Sequence, residues 1–328
     1  MAAPSGARYL LLVLVFCLTW SSAFAVGKLA VTVSPPFLFL GLRFLTAALL
    51  LIGWCRWQNQ LHGLDWRLFL GLMALGVLNQ AGYQGITWVG MQTISAGLAA
   101  IIISLNPIVI AILAAPLLGE PLGRRRWLGL LLGFGGVVLV LRNRVVVSGE
   151  DPIGIALVFL ALASMVAGTL LFKRWSPRAS LAAVIGIQQL GAGLVLLISG
   201  LLGEELGAVQ WGPTLFGTML YTVFVVSIGS FALWFYLLRT GSVTAASSLH
   251  FLMPPLGLVF GWLLLGETAE PLDLAGVVPI AVGIWLVTRE PLRGAAPRPD
   301  RARTRPAPAS PGAPPAGSPE RSPSPRGD

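Results

Sequence analysis

Apolar residues run along this chain in blocks of about twenty, separated by short interruptions of charge, Gly or Pro. Crossing about 30 Å of hydrocarbon takes about 20 helical residues, and lipid leaves a lone segment no other way to satisfy its backbone. The pattern predicts ten spans, near 8–28, 36–57, 66–88, 93–118, 124–142, 152–174, 180–202, 213–238, 242–266 and 271–289. The fold class that follows is an all-α integral membrane protein. Between the third and fourth blocks the junction VGMQTIS carries no charge and predicts a very short hairpin. Past Glu290 the pattern stops, and residues 291–328 are Pro, Ala, Ser, Gly and Arg, a composition that predicts disorder.

The first block needs a check. Arg8, an apolar run and then Ala23-Phe24-Ala25 imitate a secretory leader with its cleavage site. The apolar run continues past that site to about residue 31 and has a counterpart later in the chain, so a retained first helix is expected.

One block is written twice. Residues 106–142 repeat at 253–289, a displacement of 147, with Pro107/Pro254, Leu117/Leu264, Leu118/Leu265, Gly119/Gly266, Glu120/Glu267, Gly129/Gly276, Gly136/Gly283 and Arg142/Arg289 matched. Upstream the displacement is 145, where Lys28 meets Lys173, Gly41 meets Gly186 and Arg43 meets Gln188. Spans 1–5 therefore correspond to spans 6–10. Five is odd, so the second half must enter the membrane from the opposite side. The expected divisions are 1–145, 146–290 and the tail 291–328. Inverted halves of this kind rock about a mid-membrane site in carriers that work by alternating access.

Composition agrees: 55% of the 328 residues are hydrophobic and only 11% charged, too few charges for a soluble surface. Mean hydropathy is +0.81. The net charge of +9 suggests nucleic acid only until its placement is read. With the N-terminus inside, Arg8, Arg56, Arg67, Arg124, Arg125, Arg126, Lys173, Arg174, Arg178, Arg239, Arg289 and the tail's arginines share one side. Lys28, Arg142 and Arg144 face the other, with Glu204, Glu205, Glu267, Glu270 and Asp273. Positive-inside bias then puts both termini in the cytoplasm. No nucleic acid partner is expected. Cys17 and Cys55, the two cysteines, both lie in apolar segments and suggest neither a disulfide nor a metal site.

These features carry a resemblance. Ten spans in two five-span halves, Trp20-Ser21-Ser22-x-Phe24-x-x-x-Lys28 in span 1, Arg43-Phe44 in span 2, and Pro followed by Leu-x-Gly-Glu in spans 4 and 9 resemble the EamA family of the drug/metabolite transporter superfamily. The likeness covers about residues 8–290. It implies export of small metabolites, often amino acids or related solutes, across the cytoplasmic membrane. Lys173 matches the motif in the second half, whereas Met165 stands where the Trp is expected.

Polar groups inside hydrocarbon are costly unless paired or wetted, so those that remain are candidates for the pathway. Asn79, Tyr83 and Thr87 recur every four residues in span 3, with Gln80 and Gln84 beside them, and regular α-helical spacing puts all five on one face. This face suits a wet cavity or hydrogen bonds between helices. Ser227, Ser230 and Trp234 form the weaker counterpart in span 8. Trp20 is central in span 1 and can stack on a flat or apolar solute. Asn106 precedes Pro107, and His250 lies just ahead of Met253-Pro254-Pro255. His250 can relay a proton or simply bond between helices. Pro107 and Pro254 each remove a donor and predict bends that free carbonyls or act as hinges. Arg43, seven residues into span 2, can bind an anionic group, pair with a polar neighbour or snorkel outward. Lys28, Glu120 and Glu267 are expected to cap helix ends or hold loops. Gly129-x-x-x-Gly133-x-x-Gly136 and Gly257-x-x-x-Gly261 predict close helix contacts.

All thirteen acidic residues lie in loops, helix ends or the tail. That placement favours exchange or facilitated diffusion, or coupling through His250, over a buried carboxylate relay. It also leaves an intramembrane enzyme without the carboxylate or histidine cluster it needs, since His62 stands alone in a loop. The expected protein is a carrier of a small organic solute, with lipid as its other partner and no cofactor or metal. Amino-acid export, drug efflux and nucleotide-sugar exchange all fit this architecture. Aromatic and amide residues suit an uncharged or zwitterionic solute better than a polyanion. Oligomeric state is not legible, because glycine motifs serve contacts within and between chains.

Overall fold

The structure, a computed structural model, describes residues 6–61, 64–90, 93–94, 99, 102–103, 105–120, 122–141, 151–265 and 271–288. These belong to one compact unit, Met1–Pro291, and are helical wherever they are regular. Span 1 is Gly6–Val31, span 2 Pro36–Trp57, span 6 Pro152–Trp175 and span 7 Leu181–Gly203. Span 3 runs Trp66–Gly90, and span 4 is described as a helix over Asn106–Leu118. Span 5 is Arg124–Leu141, span 8 Pro213–Thr240, span 9 Val243–Leu265 and span 10 Pro271–Thr288. Five of these (spans 1, 2, 6, 7 and 8) are long and apolar enough to cross a bilayer on length and composition. The all-α, ten-span, five-plus-five plan is the architecture of the chain.

Local chemistry places the ends. Pro36, Pro152 and Pro213 open their helices in the first turn, where a missing N–H costs nothing. Asp65, Asp151, Ser180 and Ser242 accept N–H groups of the first turns of spans 3, 6, 7 and 9. Asp151 sits ahead of its span, and its carboxyl is held below the ordinary value chiefly by the Ile153 N–H. At the far end of span 4, Gly119 takes φ +68°, the left-handed conformation that closes a helix.

Among the described residues, three spans depart from regular α geometry. Span 3 is α over Trp66–Gly76, π over Val77–Gly85 and α again over Ile86–Gly90. Span 8 is α over Pro213–Tyr221, π over Thr222–Ser230 and α over Phe231–Thr240. The two π-segments stand 145 residues apart, the displacement of the repeat, so the distortion is duplicated with the fold. Span 9 is α over Val243–Ser248, a 3-10 turn over Leu249–Leu252, and α from Met253. Pro254 is the second residue of that last helix, so the interruption precedes it, where its lost donor would otherwise break the ladder. Pro107 likewise lies in the first turn of the Asn106–Leu118 helix.

Repeat-related spans pack on each other. Spans 2 and 7 lie together along their lengths, with Gly41 against the backbone of Leu197, Gly193 against Leu45 and Gly200 against Leu38. Spans 5 and 10 do the same, with Gly129 and Gly133 against Gly283. Small residues permit this approach, which supplies dispersion and backbone contact where lipid removes the hydrophobic drive. At Gly257, by contrast, no described atom lies within 4 Å of a Cβ built there. The first π-segment packs on spans 6 and 7, and the second on spans 1 and 2. Each half therefore leans its distorted helix on the first two spans of the other. Leu49, Leu160, Leu202 and Leu220 point outward, and Trp54, Trp57, Trp66, Trp175 and Trp211 are exposed at helix ends, as an interfacial belt requires.

Candidate functional site

Span 1, the C-terminal half of span 8 and the 3-10 turn of span 9 bring five rings together. Trp20 lies 5.0 Å from Phe231, 5.3 Å from Phe16, 6.1 Å from His250 and 6.3 Å from Trp234, centroid to centroid. Trp234 meets His250 edge-on at 5.0 Å and stacks on Phe16 at 5.8 Å. Three residues singled out from the sequence on separate spans, Trp20, Trp234 and His250, thus form one cluster, and all three are buried. Such pairs contribute roughly 0.5–1.5 kcal/mol each beyond area burial. His250 Nδ1 lies 3.1 Å from the Ser247 carbonyl, which can only accept, so Nδ1 carries a hydrogen and, in the neutral ring, Nε2 is an acceptor. Nε2 meets no hydrogen-bonding partner among the described residues. Both amide atoms of fully buried Asn106, on the helix packed against the start of span 9, are in the same position.

A second, polar cluster spans the two π-segments. Arg43, 4% exposed, donates from Nε to Ser227 Oγ at 2.9 Å and from Nη1 to Gln84 Oε1 at 3.3 Å. Its guanidinium lies 4.9 Å from the Phe44 ring centroid. Gln189 donates to the Ser227 carbonyl, and Asn79 donates to Gln188 Oε1 at 3.3 Å. Snorkelling is therefore not how Arg43 is accommodated: it points into the protein, between the halves. Ser230, three residues on from Ser227, turns instead to span 1, with Oγ 2.7 Å from Thr19 Oγ1. Tyr221, just ahead of the same π-segment, lies 2.6 Å from Ser22 Oγ.

The π-segment also divides the polar stripe of span 3. Asn79 turns to span 7 and Gln84 to span 2, while Thr87 bonds back to the Tyr83 carbonyl at 2.6 Å. Tyr83 is buried, and Gln80, fully buried, has no described partner for either amide atom. A π-turn advances its hydrogen bonds from i+4 to i+5, so four-residue spacing no longer stacks side chains on one line.

Two carboxylates clasp the halves together nearer the ends. Glu204, after span 7, accepts the Phe37 and Leu38 N–H groups at 2.8 and 2.7 Å and so caps span 2. Glu120, after span 4, accepts the Val243 N–H at 3.0 Å and the Thr244 hydroxyl at 3.2 Å, capping span 9. Beside it Lys173 donates to the carbonyls of Leu238 and Gly241. Lys28, its repeat partner, is exposed at the end of span 1, and Glu267 lies outside the described residues. Gln188, Gln189, Glu204 and Phe16 were not singled out as site residues. Gln188 carried the one usable signal, its alignment with Arg43. Among the described residues no His, Cys, Asp and Glu group is arranged to hold a metal.

The family model for EamA-like transporters matches this chain twice, over residues 7–142 and 152–289. The chain belongs to the EamA-like transporter family. The double match falls on the two halves traced above, and the superfamily is that of the drug/metabolite transporters. The uncharacterized transporter YvbV of Bacillus subtilis is 28% identical over 85% of this chain and 91% of its own length. A chloroplastic WAT1-related protein of Arabidopsis thaliana is 30% identical over 82% of this chain and 66% of its own. A solved crystal structure superposes with TM-score 0.73 over 87% of this chain and 97% of that one, at 18% identity, which shows the fold. As an EamA transporter the protein is a multi-pass membrane protein with a small-molecule substrate and lipid as its surroundings.

Proposed function

We infer that this EamA transporter exports a small organic metabolite, an amino acid or similar solute, across the cytoplasmic membrane by alternating access. The observation that carries the reading is the convergence of spans 1, 2, 3, 7, 8 and 9 on buried aromatic and amide side chains, in or next to the segments where spans 3, 8 and 9 depart from α geometry. Departures from regular backbone at membrane depth belong where protein or an aqueous pathway can satisfy the freed groups. The halves 1–145 and 146–290 act as the two rocking bodies, with both termini cytoplasmic and the tail 291–328 outside the transport chemistry. Trp20, Trp234 and His250 with Asn106 receive the solute. Asn79, Tyr83, Gln84 and Ser230 add polar groups to the same substrate pathway. Glu120, Lys28 and Glu267 belong to the gates, and Pro107 and Pro254 mark the hinges.

The acidic residues lie away from the middle of every span, so exchange or facilitated diffusion supports the cycle, with His250 as the group available for proton coupling. The test is counterflow in liposomes holding the purified full-length protein, against a broad panel of amino acids and related metabolites. Saturable flux that Trp20→Ala or Asn106→Ala impairs is expected. No flux of any panel member by correctly folded protein overturns the reading.

A further inference from the structure

We propose that Arg43 is the anion-binding residue of this carrier, and that the transported solute is a small organic acid with one carboxylate, zwitterionic amino acids included. This rests on the carrier reading above and names its substrate class.

The guanidinium is buried between the halves, and no described carboxylate pairs with it. Its five N–H groups are far from used up. Nε serves Ser227 and one Nη1 hydrogen serves Gln84, while Nη2 has no partner among the described residues. The remaining Nη1 and Nη2 hydrogens form the fork that takes a carboxylate in two parallel bonds. A buried charge without a counter-charge is unfavourable, so a charge kept in this place needs a partner of opposite sign during the cycle.

The repeat supplies an internal control. Gln188 occupies the position equivalent to Arg43, 145 residues on, and joins the halves through Asn79. A neutral amide therefore suffices for the bond between halves. The charge at residue 43 is surplus to that role. Ser227 and Gln84 hold the guanidinium in place, so its free hydrogens are presented to an acceptor in a fixed orientation.

One cation balances one carboxylate, which disfavours phosphates and other polyanions. Beyond Arg43 the neighbouring side chains are apolar. The Phe44 ring beneath the guanidinium lies 6.5 Å from Phe231, which lies 5.0 Å from Trp20. A solute with its carboxylate on Arg43 lays its apolar body against these rings.

The test uses purified full-length protein and three matched probes: isovalerate (carboxylate alone), L-leucine (both charges) and L-leucinamide (amine alone). Thermal stabilisation in detergent reads binding, and liposome flux reads transport. Isovalerate and L-leucine are expected to stabilise the wild type, and L-leucinamide is not. Arg43→Gln lowers affinity for both carboxylates by about tenfold or more, the loss of charge-assisted bonds. Arg43→Gln could fail to fold, so Gln84→Glu stands beside it. That change places a carboxylate where the Gln84 amide oxygen now lies, 3.3 Å from Nη1, keeps the side-chain shape, and competes with a carboxylate ligand by neutralising the guanidinium. Stabilisation by L-leucinamide equal to that by L-leucine overturns the proposal, as does undiminished carboxylate binding in Gln84→Glu, or no stabilisation of the wild type by either acid. Wild-type flux of uncharged solutes without carboxylate binding also overturns it while leaving the carrier reading in place. Carboxylate binding without flux of any solute has the reverse meaning.

Discussion

The Glu204 carboxylate accepts the Leu38 N–H at 2.7 Å, so a residue that follows span 7 caps the start of span 2. The Glu120 carboxylate treats Val243 the same way at 3.0 Å, from span 4 to the start of span 9. Both caps join one half to the other, and because one follows span 4 and the other span 7, the ten-span plan places them on opposite sides of the membrane. They are therefore suited to holding closed the two ends of an alternating pathway.

Removing either cap unties a helix N-terminus that the macrodipole makes attractive to anions. Glu204→Ala and Glu120→Ala should each cost about 1–2 kcal/mol of stability, the usual worth of a cap, read as a fall in unfolding temperature in detergent. They should also act oppositely on access. Glu120→Ala raises labelling of pathway cysteines from the cytoplasmic side, and Glu204→Ala from the outside. The same direction of change for both would sink the assignment of gates to opposite faces.

Trp234 packs against Phe16, Trp20 and His250 at once. Trp234→Ala should destabilise by about 3–5 kcal/mol through the cavity it leaves. Trp234→Phe keeps a ring in the cluster, should fold normally, and should alter the apparent affinity for solute more than the maximal flux. Unchanged affinity with Phe would place Trp234 in the packing alone.

At Gly283 a Cβ would approach the Gly129 carbonyl at 2.5 Å and the Gly133 nitrogen at 2.6 Å, and neither is a flexible side-chain end that can swing aside. Gly283→Ala should destabilise by about 1–3 kcal/mol, as overpacking does. Gly257→Ala, at a position with no described atom within 4 Å, should be tolerated. Equal unfolding temperatures for the two variants would contradict the packing of spans 5 and 10.

Flux should be indifferent to an imposed pH gradient, because no carboxylate lies in the middle of a span. Accumulation driven by a pH gradient, abolished in His250→Gln, would instead assign coupling to that histidine. Deleting residues 295–328 should leave flux intact at normal membrane levels.

Much of this was legible in the order of residues. Spans 2, 6, 7 and 10 begin and end within a residue of where the apolar blocks do, because hydrocarbon thickness sets their length and Pro, Asp or Ser announces most starts. The repeat and the charge bias are linear properties too. Trp20, Trp234 and His250 could each be nominated as oddities on an apolar helix, but nothing in their spacing says that they touch. Glu204 looked like an ordinary external acid, since its cap lies 166 residues away in sequence. The stripe of span 3 was read with α-helical spacing, and the π-segment re-aimed it.

The sequence by itself determined that this chain spans a membrane ten times in two inverted halves, because burial in lipid and loop charge depend on composition along the chain. It also named most of the polar residues that such a membrane would not tolerate idly. Only the tertiary structure decided their partners: Arg43 with Ser227 and Gln84, Asn79 with Gln188, Trp20 with Trp234 and His250. Those pairings depend on how spans pack and on where a helix slips from α to π geometry. Both are settled by steric fit between distant segments, which leaves almost no mark on any one of them.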